Sequence, residues 1–157
     1  MSWKVKRTKV DFNLSLCIFI SVPVRLGGIG SSATDGFVEV FNTTDGQWGG
    51  VCHNSFDIID AHIVCIMLGY PTAVGALVDG TAYNLYGTAP SGNNFVLDNL
   101  MCSGFEGSIF ECPLTGESTE SCEATQIAGV KCATSKICPI LQQKNLLVKV
   151  LFFISSA

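Results

Sequence analysis

Six cysteines, Cys52, Cys65, Cys102, Cys112, Cys122 and Cys132, stand on a regular ruler: the first two are thirteen residues apart, and the last three intervals are ten each. An even set in so short a stretch reads as a disulfide framework, and hence as a chain built for an oxidising compartment. The rival reading is a metal site. Zinc ligands come in closely spaced pairs, because one short turn must present both sulfurs to a single ion. No C-x-x-C or H-x-x-x-H occurs here, and intervals of ten and thirteen instead suit bridges between separate strands and a helix. A redox enzyme is disfavoured too, since no pair has the close spacing that tunes a reactive thiolate. Spacing alone leaves the pairing of the six open.

At 157 residues, one domain is the natural reading. Few charges and a half-hydrophobic composition allow a buried core, and abundant glycine favours strands and turns over a helical bundle. The formal charge of −4 hides an asymmetry. From Val24 to Ala133 only Arg25 and Lys131 are basic, against twelve acidic residues, a net of −10. All other lysines and the second arginine lie in the flanks. A core this acidic has no basic stripe, which argues against nucleic acid and disfavours polyanions such as sulfated polymers.

The flanks differ in character from the core. Residues 1–22 have the shape of a secretory signal: Lys4, Lys6, Arg7 and Lys9 precede an apolar run from Phe12 to Val22. The run is short for a bilayer span, carries Asn13, and lacks a clean small-x-small cleavage site before Pro23. The export that the cysteines demand favours the signal over a stray internal stretch. Residues 134–157 form a tail whose apolar part, Asn145 to Ile154, carries Lys149. It reads as a truncated membrane segment, a hydrophobic tail, or sequence that is not part of the mature product. Cys17 would leave with the signal, and Cys138 would then be an odd thiol.

Within the core, Phe37–Phe41 reads as a strand, Thr44–Gln47 as a turn around Asp45-Gly46, and Trp48–Cys52 as the return strand. The one good helix runs from Asp57 to Leu68, with Ala61, Val64, Cys65 and Leu68 at helical spacing. Asp57 or Asp60 can cap it and Gly69 can end it. Phe95–Leu97 and Gly129–Cys132 read as further strands, and Ser108–Cys112 as one helical turn. Pro71 to Asn94, rich in Gly, Ala, Asn and Thr, reads as loop. Asn42-Thr43-Thr44 is a glycosylation sequon at the hairpin turn. Asn13-Leu14-Ser15 also matches but falls inside the signal.

These segments together resemble a scavenger receptor cysteine-rich (SRCR) domain. The resemblance is carried by Val24-Arg25-Leu26-Gly27-Gly28, Gly36–Val40, Gln47-Trp48-Gly49-Gly50-Val51-Cys52, Asp60–Cys65 and Leu97–Gly104, and it covers residues 24–133. It implies an α+β fold in which a curved antiparallel β-sheet cradles one α-helix under three disulfides. The implied pairs are Cys52–Cys122, Cys65–Cys132 and Cys102–Cys112. Members with eight cysteines have a fourth bridge, whose positions correspond to about Thr34 and Tyr70; both lack cysteine here, as in the six-cysteine group A type. Many members also carry two aspartates after the cysteine matching Cys52 and an acidic residue before the final Ala-Gly-Val. These help to hold divalent cations that assist ligand recognition. Here His53, Asn54 and about Gln126 stand in those places, and a second acidic pair is reduced to Asp98-Asn99. Calcium needs several hard oxygen ligands. The metal site is therefore degenerate, with Asp98 as its remnant at most, and no cofactor is expected.

The histidines invite a catalytic reading, but a hydrolase triad needs one of them beside a nucleophile and an orienting acid. His62 reads instead as a surface or capping residue, and Trp48 and Phe56 as core or rim packing. The expectation is a non-enzymatic recognition domain, secreted or on the extracellular face of the plasma membrane, that binds a protein or a microbial surface ligand. His53, Asn54, Phe56, Asp98 and Gln126 are its candidate ligand-binding residues. The loops His53–Phe56 and Pro71–Asn94 are the expected contact region. The alternative is an accessory SRCR module of a larger secreted protease or lysyl-oxidase-like enzyme, itself inactive.

Overall fold

The computed structural model describes residues 22–89, 91–115 and 122–136. The expected signal (apart from Val22), the second sequon, Cys17, Cys138 and the apolar tail all lie outside these. Strand β2 (Asp35–Asn42) organises the sheet, because three strands pair with different stretches of it. Strand β1 (Val24–Gly27) runs antiparallel to it over Phe37–Val40. Strand β3 (Gln47–Val51) returns along Glu39–Asn42 after the expected Asp-Gly turn. Strand β6 (Gly129–Cys132) pairs with Asp35–Phe37. Beyond β6 lies β4 (Ala73–Leu77), antiparallel to it, and beyond β3 lies β5 (Phe95–Leu97), which runs parallel. The sheet is therefore antiparallel except at that last pair.

Alternation along β2 explains the packing. Successive side chains of a strand point to opposite faces, and Phe37, Val38, Glu39 and Val40 are all buried. Val38 and Val40 join the larger core cluster with Ala61, Ile63, Val64 and Cys65 of helix α1 (Ile58–Met67). Phe37 faces the other way, into a smaller cluster with Ala82 and Tyr86 of helix α2 (Thr81–Tyr86). Both faces of β2 are thus covered.

Helix α1 begins where expected, and both aspartates are used. Asp57 accepts from the backbone N–H groups of Ile59 (2.7 Å) and Asp60 (3.2 Å), while Asp60 accepts from Asp57 N–H (2.8 Å), a reciprocal capping box. It ends at Gly69, whose φ of 86° is available to glycine at little cost. Tyr70 N–H then bonds to Cys65 C=O (2.9 Å) and Gly69 N–H to Ile66 C=O (3.0 Å), closing a Schellman motif.

The stretch Pro71–Asn94, expected as loop, instead holds β4 and the second helix α2. The strand is made by its surroundings: Ala73 and Ala76 are small enough to pack against the larger core while the backbone pairs with β6. Helix α2 buries Ala82 and Tyr86, one turn apart. It sits so close to the sheet that a Cβ on Gly129 would stand 2.8 Å from Ala82 Cβ. The Tyr86 hydroxyl donates to Asp35 Oδ2 (2.8 Å), tying α2 to the start of β2.

All three expected disulfides are present, and among the described residues no cysteine is free. Cys65–Cys132 fastens α1 to β6, Cys52–Cys122 fastens the end of β3 to the segment before the 3₁₀ turn Ala124–Gln126, and Cys102–Cys112 closes a short loop. At the positions of the missing fourth bridge, Tyr70 is buried in the core and Thr34 C=O accepts from Cys132 N–H (2.7 Å). The turn Ile109–Glu111 lies where one helical turn was expected. No helix among the described residues is long and apolar enough to cross a membrane.

Candidate functional site

Four of the five candidate binding residues come together at the ends of β3 and β5. His53 follows β3, and its N–H donates to Gln126 C=O (2.7 Å). Gln126 Oε1 accepts in turn from Glu123 N–H (2.8 Å). Asn54 Nδ2 points at Asp98 Oδ2 (3.4 Å), and Asp98 Oδ1 accepts from Asn99 N–H (2.7 Å). Phe56 does not join them. Its side chain is only 5% exposed and belongs to the larger core, so it anchors the loop from below rather than meeting a ligand.

The structure adds a residue that the sequence does not reveal. Asp79 N–H donates to His53 Nδ1 (3.0 Å), and Asp79 Oδ1 lies 3.6 Å from the same nitrogen. An Nδ1 that accepts a backbone N–H carries no proton, so His53 has its hydrogen on Nε2. Twenty-six residues separate the pair, and no motif links them.

Backbone strain gathers at the same place. Among the described residues, three non-glycine residues have left-handed φ: Ser55 (58°), Asp79 (53°) and Asn99 (52°). Each flanks or touches a member of the cluster, and Ser55 Oγ bonds to Asn99 Oδ1 (3.3 Å). Such conformations cost of order 1 kcal/mol or more and persist where the surroundings over-determine them, as at many binding surfaces.

These residues supply few of the oxygen ligands that calcium takes. The ion takes six or more of them, carboxylates above all. Here Asp98 is the one carboxylate of the expected set; it is 6% exposed, and one of its oxygens is held by a backbone N–H while the other faces an amide N–H₂. The His53 lone pair is also taken. A second metal-like grouping, Cys102, Glu106 and Cys112, offers no thiolates because its two cysteines are bonded to each other. Among the described residues neither histidine faces a nucleophile poised for attack: His62 Nδ1 contacts Thr72 Oγ1 (3.1 Å), and that hydroxyl donates to Ala73 C=O.

Two further polar devices shape the surface. Arg25 pairs with the fully buried Glu39 (2.8 Å), its cross-strand partner, and lies 4.2 Å from the Trp48 ring centroid. Trp48 packs edge-on against Phe41, so it serves as sheet packing. In the Cys102–Cys112 loop, the Glu106 carboxylate accepts from Ser103 N–H (2.8 Å), Ser103 Oγ (2.8 Å), Gly104 N–H (2.9 Å) and Phe105 N–H (3.1 Å). Led by the Ser103 backbone bond, this net holds the carboxyl down at about 2. The sequon residue Asn42 sits at the end of β2, its Oδ1 accepting from Thr44 N–H (2.9 Å) and its Nδ2 donating to Asp45 (3.1 Å) in a turn exposed to solvent.

Comparison with known proteins agrees with this architecture. Residues 29–133 match the family profile described as the scavenger receptor cysteine-rich domain. The chain is 37% identical over 116 residues to lysyl oxidase homolog 2 of Homo sapiens, covering 74% of this chain and 14% of that protein. It is 39% identical over 104 residues to galectin-3-binding protein of Mus musculus, covering 66% of this chain and 17% of that one. The chain thus spans less than a fifth of either relative. Among solved structures it is similar to the third SRCR domain of murine neurotrypsin (TM-score 0.59, 29% identity, covering 73% of this chain and 98% of that one). It is also similar to the SRCR domain of mouse MARCO in its dimeric form (TM-score 0.52, 33% identity, covering 63% and 86%). With its three disulfides and this match over two thirds of its length, the chain belongs to the scavenger receptor cysteine-rich family.

Proposed function

We propose that this chain is an extracellular recognition module that binds a protein or a microbial surface ligand, without catalysis and without an obligatory calcium ion. The observation that carries the reading is the contrast between an intact scaffold and an altered ion site. All three bridges of the family are kept, while His53, Asn54 and Gln126 stand where carboxylates would hold a cation. Recognition then rests on the shape and charge of a rigid surface. The net of −10 across the core favours cationic or neutral partners over polyanions. Asn42 is the carbohydrate acceptor in this reading. Its test is a binding screen of the oxidised full chain against extracellular proteins and bacterial surfaces, in calcium and in chelator. Affinity is expected to change by no more than about twofold between the two, because calcium needs an oxygen-rich cage. Heparin should not retain the chain at physiological salt. Ligand binding that vanishes in chelator, or tight salt-sensitive heparin binding, overturns the reading.

A second reading makes the domain an accessory module of a larger protein. It is favoured by one observation: the matching segment is only 14% of lysyl oxidase homolog 2 and 17% of galectin-3-binding protein. A full-length transcript with a catalytic domain beside this one would decide for it.

A further inference from the structure

Exposed large apolar side chains are not spread evenly over the described surface. Ile59 lies on the first turn of α1; Met101, Phe105 and Leu114 lie on or beside the Cys102–Cys112 loop, and all four are exposed. Hydrogen bonds tie these segments together. Asp60, buried in α1, accepts from Cys102 N–H (2.9 Å), and Met101 N–H bonds to Pro113 C=O (2.9 Å) next to the Leu100–Leu114 bridge. Gly104 approaches Ile59 so closely that a Cβ there would stand 3.4 Å from Ile59 Cγ2.

Phe105 stands out in this group. It is 95% exposed, although folding normally hides so large an apolar ring. Its loop is also rigid by construction. A disulfide closes it, and the Glu106 carboxylate fixes Ser103, Gly104 and Phe105 by four hydrogen bonds. An aromatic side chain on a pre-organised loop loses little entropy on binding and has the makings of an interface anchor.

The rim chooses the partner. Glu106 and Glu111 lie on the same loop, Asp57 caps α1 beside Ile59, and no lysine or arginine occurs between Arg25 and Lys131. Two copies meeting symmetrically through Phe105 would set these carboxylates against their own counterparts. A membrane is disfavoured likewise, since anionic headgroups repel such a rim and these segments carry no lysine or arginine to hold them.

We propose that the Cys102–Cys112 loop is a docking surface on which Phe105, flanked by Ile59 and Met101, anchors a cationic amphipathic segment of a partner protein. Apolar side chains of that segment cover Phe105, and its lysines or arginines meet Glu111 and Asp57. The proposal rests on the recognition reading above and names where and what that surface recognises.

The test uses the full oxidised chain and a short dye-labelled peptide with leucines on one helical face and lysines on the other. Fluorescence anisotropy gives its affinity. Phe105→Ser should weaken binding about tenfold or more, as loss of a central aromatic anchor does. Glu111→Gln should weaken it about two- to fivefold, as a rim charge does, and added salt should act in the same direction. Val74→Ser, at another exposed apolar site, on β4, should leave it unchanged. Circular dichroism and thiol titration check that each variant keeps its fold and bridges. The proposal is overturned if the peptide does not bind, if Phe105→Ser binds as the parent does, or if a glutamate–leucine peptide binds equally well. It is overturned also if Phe105→Ser abolishes a dimer seen by sedimentation or binding to phosphatidylcholine vesicles while peptide affinity is unaltered. A calcium-independent ligand whose binding survives Phe105→Ser would sink this surface and leave the recognition reading standing.

Discussion

Glu106 illustrates how one carboxylate can do the work of a small piece of secondary structure. The segment Ser103–Phe105 lies in neither helix nor strand, so the side chain accepts its three successive N–H groups together with the Ser103 hydroxyl. The charge-assisted bonds hold its carboxyl at about 2, against an ordinary value of 4.5. A carboxyl lowered on folding contributes stability that is fully present above its ordinary value and disappears as pH falls through the lowered one. Order in the loop should therefore persist to pH 3 and fail near pH 2. Carbon-detected NMR of the Glu106 carboxyl, with the Gly104 and Phe105 amides followed together, checks this. Glu106→Gln keeps the size but leaves one acceptor oxygen and an N–H₂ facing donors, so amide exchange at Gly104 and Phe105 should accelerate at neutral pH. A Glu106 midpoint near 4.5 would refute the account.

Among the elements, those whose cause is local were legible in the sequence and those whose cause is distant were not. Helix α1 announces itself through apolar spacing and through Asp57 and Asp60, and the hairpin through Asp45-Gly46 between two apolar runs. Strand β4 has no such signature. Ala73-Val74-Gly75-Ala76-Leu77 becomes a strand because β6 offers it an edge, and β6 is more than fifty residues away. Helix α2 lacks a side-chain cap and is held by Tyr86 on Asp35. The site divides the same way. The loss of carboxylates at His53, Asn54 and Gln126 is visible from residue type alone, given the family resemblance. The Asp79 contact and the exposure of Phe105 are products of folding, since an aromatic between a glycine and a glutamate reads the same whether it packs inward or points out. The two aspartates of α1 offer a test at this scale. Asp57→Ala removes an N-cap on an exposed turn and should cost about 1 kcal/mol. Asp60→Ala strips the partner from two backbone N–H groups, those of Asp57 and Cys102, and should cost more, about 2 to 3 kcal/mol. Urea unfolding of the oxidised chain compares them, and a reversed order would mean that Asp60 caps but does not join α1 to the Cys102 segment.

At the scale of the whole molecule, the three bridges divide their labour by the length of chain they close. Cys52–Cys122 and Cys65–Cys132 span 70 and 67 residues, and each joins elements that meet only in the folded state. Cys102–Cys112 spans 10 and closes a loop that Glu106 already organises. Cross-links stabilise chiefly by removing freedom from the unfolded chain, and that freedom grows with loop length. On this basis each long bridge contributes about 4 kcal/mol and the short one about 3. The difference in stability is modest, but the difference in place is large. Replacing Cys65 and Cys132 together by alanine detaches α1 from β6 within the larger core, so near-ultraviolet circular dichroism and the unfolding midpoint should both fall. Replacing Cys102 and Cys112 should lower the midpoint less and leave the near-ultraviolet signal of the core in place. It should still weaken binding through Phe105, whose pose depends on the closed loop. Stability and recognition are thereby separable. If the short-bridge variant lost the core signal as completely as the long-bridge one, the loop would be part of the scaffold and not a surface mounted on it.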